Sequence, residues 1–332
     1  MSKAEKARAS GCWFGQLVGD ALGTLVEGQS AAEIAASHPK GVRDLHDGGA
    51  FDLLAGQPTD DTELALSLSW SLLDEADYVE ESAASHYVRW FDTEPFGVSP
   101  AVEVAVRAAQ QASLAGEAVA PAMRAAADAT SLQPAPLMRV APIAIFGVHR
   151  GDEWVAQAAM QDAALTHAHP VVQQASAVFA VTLARAIRGE TDARALLTAA
   201  REHALHLEAH AALQDALRDA EHAPPTDFTD PHGVCVALQN AFHVLLQGTS
   251  FEDALAGTLS HGGDTDANGV IAGALLGAVH GMHAIPARFR ECVDACEPDE
   301  DEDDVSRPRP SWLWPTGAEG LALSLLDTGS AG

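Results

Sequence analysis

Apolar residues recur at intervals of three and four positions along most of this chain. Val102, Ala105 and Ala109 show the spacing, which places their side chains on one face of a helix. It is not the interval of two that is typical of strands. The apolar residues are mainly Ala and Leu, and aromatic residues make up only 5% of the chain. We therefore predict an all-α fold.

Glycine and proline clusters divide this pattern into separate helices. It predicts helices near residues 10–26, 61–75, 79–91, 99–113, 117–130, 137–148, 152–165, 170–188, 191–220, 233–247, 251–260 and 266–282. Residues 38–58 form the longest stretch without helical period. A loop of this length inside a compact domain is more often functional than idle. It leads directly into Thr59, so we expect it to line the mouth of a site.

A chain of 332 residues can bury a large core, and nothing in its composition marks a linker between two halves. We predict a single compact multi-helix domain over residues 1–296, followed by an acidic, proline-containing tail over residues 297–332. The acidic block from Glu297 to Asp304 and the prolines around it are typical of a solvated segment. Such a segment buries too little apolar surface to stay ordered.

Two short acidic motifs lie far apart in the chain, and each precedes an apolar helical run. They are Thr59-Asp60-Asp61-Thr62 and Gly262-Gly263-Asp264-Thr265-Asp266-Ala267-Asn268. Two like unit charges 4 Å apart repel by roughly 4 kcal/mol at an effective dielectric of 20, so converging carboxylates need a cation. Hard divalent ions, which prefer oxygen ligands, meet that need, and Mg²⁺ and Mn²⁺ are the most suitable of them. Together the motifs indicate two halves of one metal site.

Each motif alone also fits a purely structural role. Thr59 or Asp60 is a suitable helix N-cap, and Glu63, three residues after Asp60, would complete a capping box. Asp264 or Asp266 is equally suited to cap the helix that follows. The occurrence of both motifs in one chain favours the metal site.

A third element joins the two motifs. The run from Gly11 to Gly23, followed by Glu27, combines helix-spaced apolar residues with glycines that permit close backbone approach. Here the chain resembles the ADP-ribosylglycohydrolase family, whose bacterial members include hydrolases that remove ADP-ribose from a modified dinitrogenase reductase. The resemblance covers roughly residues 10–290. It runs in order through GDALG…E, TDDT, LMRVAPIAI, LTH, ALQNAF and GGDTDANGVIAGALLGAVHG.

The resemblance implies a metal-dependent hydrolase. It would attack the anomeric carbon of the distal ribose in ADP-ribose attached to a protein side chain, with arginine favoured, or to a small acceptor. Two ions, Mg²⁺ or Mn²⁺, would grip the ribose hydroxyls and activate or position water. By motif position, the implied metal ligands are Thr59, Asp60, Asp61, Asp264 and Asp266.

The resemblance also implies catalytic and substrate-binding residues. Glu27 matches a glutamate on a mobile segment that gates the metals and serves in acid–base chemistry. His167 matches a histidine that contacts the ribose or phosphates of the nucleotide. The implied catalytic residues are Glu27, Asp61 and Asp266. The implied substrate-binding residues are Asp20, His167, Gly262 and Gly263, the glycines allowing close backbone approach.

Three departures from the family pattern keep a second function open. Ala267 stands where relatives commonly carry a metal-ligating hydroxyl. The segment Gln133-Pro134-Ala135-Pro136 replaces an Asn-Gly turn that cradles the diphosphate, and Gly97-Val98-Ser99 replaces an Asp-Ile-Gly element. The alternative is a catalytically impaired ADP-ribose-binding or structural protein on the same scaffold. The retained aspartates favour the enzyme, because a structural role gives no reason to keep mutually repelling carboxylates.

The net charge and the cysteine content limit which binding partners and which cellular location we expect. The formal net charge of −28 argues against nucleic acid as a direct partner and against anionic membranes. No run of eighteen apolar residues occurs, so we predict no transmembrane helix. Cys12, Cys235, Cys292 and Cys296 are unevenly placed, which suggests reduced thiols. We expect a cytoplasmic protein whose partner is an ADP-ribosylated protein or an ADP-ribose-containing small molecule.

Overall fold

The computed structural model describes residues 1–229, 233–302 and 305–331. Within these ranges the chain forms seventeen α-helices, four short 3₁₀ helices and no β-strand, which confirms the all-α prediction. The α-helices are α1 (Lys3–Gly23), α2 (Ala31–Ser37), α3 (Asp60–Glu75), α4 (Glu80–Phe91), α5 (Pro100–Ala115), α6 (Val119–Ala125), α7 (Ala135–Met138), α8 (Ala141–Phe146), α9 (Asp152–Ala164), α10 (Pro170–Arg188), α11 (Ala193–His206), α12 (Ala211–Asp219), α13 (Gly233–Leu246), α14 (Phe251–Leu259), α15 (Thr265–His280), α16 (Ala287–Asp294) and α17 (Ala318–Gly329). The 3₁₀ helices are Thr24–Val26, Gly147–His149, Met282–Ala284 and Ser311–Leu313.

Several helix boundaries differ from the prediction. The helix predicted over residues 191–220 is two helices, α11 and α12. Glu208 lies between them with a φ of +50°, a left-handed conformation that interrupts a helix. The Nδ1 atom of His210 then accepts a hydrogen bond from the N–H of Ala212 and caps α12. The helices α2, α16 and α17 lie outside the predicted set.

The core is organised around α1 and α15, which run antiparallel with their backbones in contact. A β-carbon added to any of the facing glycines would overlap backbone atoms of the opposite helix. These glycines remove the side chains that normally hold packed helices about 8–10 Å apart. The facing residues are Gly11 and Gly277, Gly15 and Gly273, and Gly19 and Gly269.

This pairing places acidic residues from the two ends of the sequence at one point. Asp20 lies in the last turn of α1, and Glu27 follows the 3₁₀ helix Thr24–Val26. Asp264 and Asp266 lie at the start of α15. Because the C-terminal end of α1 meets the N-terminal end of α15, these carboxyl groups become neighbours.

The C-terminal segment corrects the prediction of a tail after residue 296. Helix α17 packs against α1, α3 and α8. Leu325 and Leu326 are fully buried, and Arg309 is only 6% exposed. The expectation therefore fails for residues 305–329, because an apolar helix follows the acidic, proline-containing stretch and docks on the core.

Most of the acidic block is exposed where the structure describes it, although Pro298 is buried and Asp299 is half-buried. Glu297 and residues 300–302 have exposed side chains, as expected for a solvated charge run. Asp303, Asp304 and Gly332 lie outside the described residues.

Among the described residues, α10 is the one helix long and apolar enough to cross a membrane by length and composition, with a mean hydropathy of 1.2. Of its most apolar stretch, 78% is buried inside the protein. It packs against α9, α11 and α15. Such burial is typical of a helix in the core of a domain.

We predict that Gly15→Ala lowers the free energy of unfolding by about 1–3 kcal/mol, because the added methyl group overpacks a rigid backbone contact. Gly257→Ala is the matched control, since position 257 lies within α14 and a β-carbon there meets nothing within 4 Å. The better helix propensity of alanine should raise its stability by up to about 1 kcal/mol. Urea unfolding followed by circular dichroism measures both. Equal stability of the two variants would contradict a special role for the contact.

Candidate metal centre and active site

Thr59 is the N-cap of α3. Its backbone is extended, with φ −94° and ψ −173°, and its hydroxyl accepts a hydrogen bond from the N–H of Asp61 at 3.3 Å. The capping interpretation of this motif is therefore correct for Thr59. Glu63 does not complete a capping box, because its carboxylate bonds Arg309 instead. Because Thr59 caps α3, the side chains of Asp60 and Asp61 are not needed as caps and remain available to bind a ligand at the helix N-terminus.

Asp20 holds Thr59 in place. Its carboxylate accepts hydrogen bonds from the Thr59 N–H at 3.1 Å and from the Thr59 hydroxyl at 2.9 Å. Asp20 is 0% exposed. Burial raises the pKa of Asp20 to about 6, while hydrogen bonds from Thr62 and Thr59 oppose that rise. These are the contacts of a group that positions the turn before α3, and the substrate contact implied for Asp20 stays a prediction.

Two glycines shape the turn before α15. Gly262 and Gly263 have φ values of +71° and +76°, where only glycine is unstrained. The Gly263 N–H donates to the carbonyl of Gln29 at 2.9 Å, and the Gly263 carbonyl accepts from Gly28 at 3.0 Å. A β-carbon at either glycine would overlap neighbouring backbone. The observed reason for these glycines is therefore close chain packing, which sets Asp264 at the N-cap of α15.

Glu27 reaches across to the first turn of α15. Its Oε2 atom accepts hydrogen bonds from the N–H of Thr265 at 2.6 Å, from the Thr265 hydroxyl at 3.1 Å and from the N–H of Asp266 at 3.2 Å. A helix N-terminus is favourable for an anion because its first N–H groups lack partners. One carboxylate oxygen from each of Glu27, Asp264 and Asp266 lies within 4.8 Å of the other two.

The motifs at residues 59–62 and 262–268 lie close enough for the carboxyl groups of one to change the pKa values of the other. Burial, followed by the charge of neighbouring carboxylates, raises the pKa values of Asp60, Asp61 and Asp266 well above the usual range. The pKa of Asp264 rises to about 6, through burial and then the charge of Glu27. The charge of Asp61 contributes to the rise at Asp266, and that of Asp264 to the rise at Asp61. These carboxyl groups cannot all be ionised cheaply without a compensating cation.

The donor set fits a hard divalent cation. Thr59, Asp60, Asp61, Asp264 and Asp266 offer only oxygen atoms, and the four carboxyl groups are at least half-buried. Oxygen-rich sites with several carboxylates suit Mg²⁺, Mn²⁺ and Ca²⁺, whereas zinc sites usually contain His or Cys. The predicted ligand residues therefore meet at one place in the fold, and their chemistry matches the kind of ion that the sequence suggested.

His167 lies in a separate buried network. Its Nδ1 atom is 3.0 Å from the Thr166 hydroxyl, which also accepts from Arg139 at 3.1 Å. The Nε2 atom of His167 is buried and has no hydrogen-bond partner among the described residues. Burial, followed by the charge of Arg139, lowers the pKa of His167 to about 3. The ring is therefore neutral near pH 7, with one N–H to donate.

Arg139 anchors a buried structural network that the sequence analysis did not single out. It is fully buried and bonds Asp162 through Nε at 2.7 Å, and Tyr87 donates to the same carboxylate at 2.8 Å. The network links the segment from Leu137 to Ile145 with Thr166 and so fixes the backbone before His167. A single arginine inside an apolar run was the available signal, because a buried charge requires a partner.

The three departures have distinct structural settings. Ala267 is buried, and its N–H donates to Asp266 Oδ1 at 2.7 Å. Gly97 has a φ of +78°, and a β-carbon there would lie 2.8 Å from Asp60 Oδ1. Pro134 is the N-cap of α7, and its carbonyl accepts from the N–H of Leu137 at 2.7 Å. Because residue 97 is a glycine, the chain can pass close to the turn formed by residues 59–61. A side chain at this position would overlap the carboxylate of Asp60.

The acidic motifs at the N-termini of two helices lie in a fold that is shared with known proteins. The model of the family described as ADP-ribosylglycohydrolase matches residues 1–314. The chain belongs to the ADP-ribosylglycohydrolase family, whose named members are hydrolases.

Individual relatives agree with this assignment. The ADP-ribosyl-[dinitrogen reductase] glycohydrolase of Rhodospirillum rubrum is 31% identical over 297 residues, which cover 86% of this chain and 90% of that protein. The ADP-ribosylarginine hydrolase Tri1 of Pseudomonas putida is 24% identical, with 86% of this chain and 74% of that protein covered. A solved structure described as an ADP-ribosylglycohydrolase-related protein complex has a TM-score of 0.78 and 27% identity, covering 99% of this chain and 100% of that chain.

We predict that the metal-free protein loses stability as pH rises from about 4 to about 7. The pKa values of Asp20 and Asp264 are raised from 3.8 to about 6 in the folded state. Their neutral forms favour folding, so this stabilisation is complete below the unfolded pKa and is lost as pH passes the folded pKa. Added Mn²⁺ should reverse the loss at pH 8, by about 2.7 kcal/mol at one hundred times its dissociation constant.

Thermal unfolding at pH 5.5 and pH 8, with Mn²⁺ or with EDTA, measures this effect. The Asp264→Asn variant is the control, because it lacks one of the titrating groups and should show a smaller fall with pH. A metal-free wild type that is more stable at pH 8 than at pH 5.5 would contradict the prediction.

Proposed function

We propose that this protein is a metal-dependent hydrolase that removes ADP-ribose from a modified protein side chain, arginine being favoured, or from a small ADP-ribosylated acceptor. The observation that carries the proposal is the convergence of buried carboxylates at the N-termini of α3 and α15. The names of two relatives support the choice of linkage, since one acts on ADP-ribosylarginine and the other on ADP-ribosyl-dinitrogen reductase.

Two Mg²⁺ or Mn²⁺ ions would be held by Thr59, Asp60, Asp61, Asp264 and Asp266. When bound, such ions stabilise developing charge and fix the ribose hydroxyls relative to the attacking water. In the reaction, the bond between the anomeric carbon and the acceptor atom breaks, water supplies the new hydroxyl, and the leaving acceptor gains a proton. The protein's own contribution is to orient these groups and move that proton.

Glu27 is the residue we assign to proton transfer. Its carboxylate lies beside Asp264 and Asp266 and is held by N–H groups of α15. That position suits a base that takes a proton from water at the ribose and returns it to the departing group. We use the name junction for the place where the C-terminal end of α1 meets the N-terminal ends of α3 and α15. We assign Asp61 and Asp266 to orienting the reacting centre, because each belongs to a different motif and they interact electrostatically across the junction.

The substrate contacts remain proposals for His167, Gly262 and Gly263. The neutral His167 ring has an unpartnered buried Nε2 atom among the described residues, suited to a hydrogen bond with a ribose or phosphate oxygen. The glycines bring the backbone of the α15 turn to the junction. We also propose a cytoplasmic location, supported by the free thiols of Cys12, Cys292 and Cys296, and no direct nucleic-acid partner, supported by the net charge of −28.

We predict that Asp60→Asn and Asp264→Asn each weaken Mn²⁺ binding by at least about tenfold and reduce release of ADP-ribose from an arginine-modified protein. The control is Asp215→Asn, because Asp215 is an exposed residue of α12 paired with Arg218. Calorimetry and ADP-ribose release, with Mg²⁺, Mn²⁺ or EDTA, measure these effects. A serine-modified protein as a parallel substrate tests the preference for arginine.

Two outcomes would redirect the proposal. Equal Mn²⁺ affinity in all three variants would exclude a shared metal site. Binding of ADP-ribose by the wild type with no hydrolysis of either substrate would favour the alternative, an ADP-ribose-binding or structural protein on the same scaffold.

We predict that Ala267→Ser tightens the weaker of the two metal positions, because it restores a hydroxyl oxygen beside Asp266. Serine adds only one heavy atom to this buried position, so packing strain should be small. In the wild type, water would supply the missing ligand, as hard ions readily retain waters. Metal stoichiometry and affinity of both proteins test this prediction. If the wild type already binds two ions equally tightly, the missing hydroxyl has no consequence.

A further inference from the structure

Arg309 forms a buried two-pronged ion pair with Glu63 of α3. Its Nε atom donates to Glu63 Oε1 at 2.7 Å and its Nη2 atom to Oε2 at 2.8 Å. The arginine also bonds the carbonyl and the hydroxyl of Thr93, at 2.9 and 2.7 Å, and Trp90 donates to the same Glu63 carboxylate at 2.8 Å. Arg309 is 6% exposed and Glu63 is 1% exposed. The pair is therefore shielded from water and geometrically fixed.

The chain around Arg309 makes further contacts with the loop before α3. Gln57 donates to the carbonyl of Arg307 at 2.6 Å, and Ser306 donates to the carboxylate of Asp52 at 2.7 Å. Trp314 donates to the carbonyl of Arg309 at 2.6 Å. We call residues 306–314 the strap. It bonds the chain on both sides of the Thr59 to Asp61 turn.

Glu63 belongs to the same helical turn as the implied metal ligands. Its N–H donates to the carbonyl of Thr59 at 3.0 Å, the first hydrogen bond of α3. A shift of Glu63 therefore moves Asp60 and Asp61 with it. Removing Arg309 would leave the Glu63 carboxyl group buried without a counter-charge and without two of its hydrogen bonds, so the contacts that restrain the first turn of α3 would be lost.

We infer that Arg309 is a positioning residue for the metal centre. It touches none of the implied ligands and acts through Glu63, holding the first turn of α3 so that Asp60 and Asp61 face the start of α15. The inference rests on the proposed metal site for its consequence, but the restraint itself is a property of the metal-free chain. Both can therefore be measured separately.

The test compares Arg309→Met with Leu325→Ala, a core truncation in α17 that lies outside the strap. In the metal-free proteins, hydrogen exchange of the amides in residues 52–63 should be at least about tenfold faster in Arg309→Met than in the wild type. The amides of α15 should be unchanged. Leu325→Ala should lower the melting temperature and leave residues 52–63 unchanged.

Calorimetry with Mn²⁺ gives the second readout. Arg309→Met should bind Mn²⁺ about 10–100-fold more weakly, as found when residues behind metal ligands are removed. Leu325→Ala should stay within about twofold, because it leaves the hydrogen bonds between Arg309 and Glu63 in place. Adding Glu63→Gln to Arg309→Met should cause little further loss of affinity, because the two residues act as one unit.

The outcomes separate the two proposals. Unchanged exchange of residues 52–63 in Arg309→Met would overturn the positioning role, whatever the metal results. Equal loss of Mn²⁺ affinity in Leu325→Ala would also overturn it, since general destabilisation would then explain both. A wild type that binds no Mn²⁺ would refute the proposed metal function, and the exchange experiment would still decide whether Arg309 restrains the turn.

Discussion

The backbone contact between α1 and α15 is the constraint on which the site depends. Gly15 and Gly273 allow each helix to reach the main chain of the other, so the register of the two helices is set by close contact. That register fixes where the last turn of α1 ends against the first turn of α15. Asp20, Glu27 and Asp264 reach the junction from there. A looser helix pair would leave the same residues present but would not hold their carboxyl groups at hydrogen-bonding distances from neighbouring N–H groups.

The junction concentrates negative charge in a buried place, and the fold offsets this only in part. The N–H groups of α15 receive Glu27, and Thr59 donates two hydrogen bonds to Asp20. Glu63, in the same first turn of α3 as Asp60 and Asp61, has its own counter-charge in Arg309. Burial, and then the charge of neighbouring carboxylates, raises the pKa values of the remaining acids, those of the two motifs, and no described cationic side chain pairs with them. Glu63 thus has a structural role and a paired charge, whereas the carboxyl groups of the two motifs have no cationic partner among the described residues and are available to bind a cation.

The sequence predicts local features well, and long-range contacts poorly. Helical spacing identified the fold class, and like charges in two motifs pointed to the carboxylates that the fold brings together, because both signals lie within a few adjacent residues. The bonds of Glu27 to the start of α15 and of Arg309 to Glu63 join residues 238 and 246 positions apart, which no local pattern encodes. The C-terminal helix was missed for a related reason, since the acidic stretch before it dominated the composition of that region.

The α1 and α15 pairing also has a consequence for how the chain is made. Helix α1 contains Lys3–Gly23, whereas its partner contains Thr265–His280, so the closest helix contact in the core joins opposite ends of the sequence. During synthesis at about 5–20 residues per second, α1 leaves the ribosome tens of seconds before α15 exists. Its apolar, glycine-lined face must stay uncovered for that time. This protein is therefore most exposed to aggregation and to chaperone capture while it is still being translated, before its two central helices can meet.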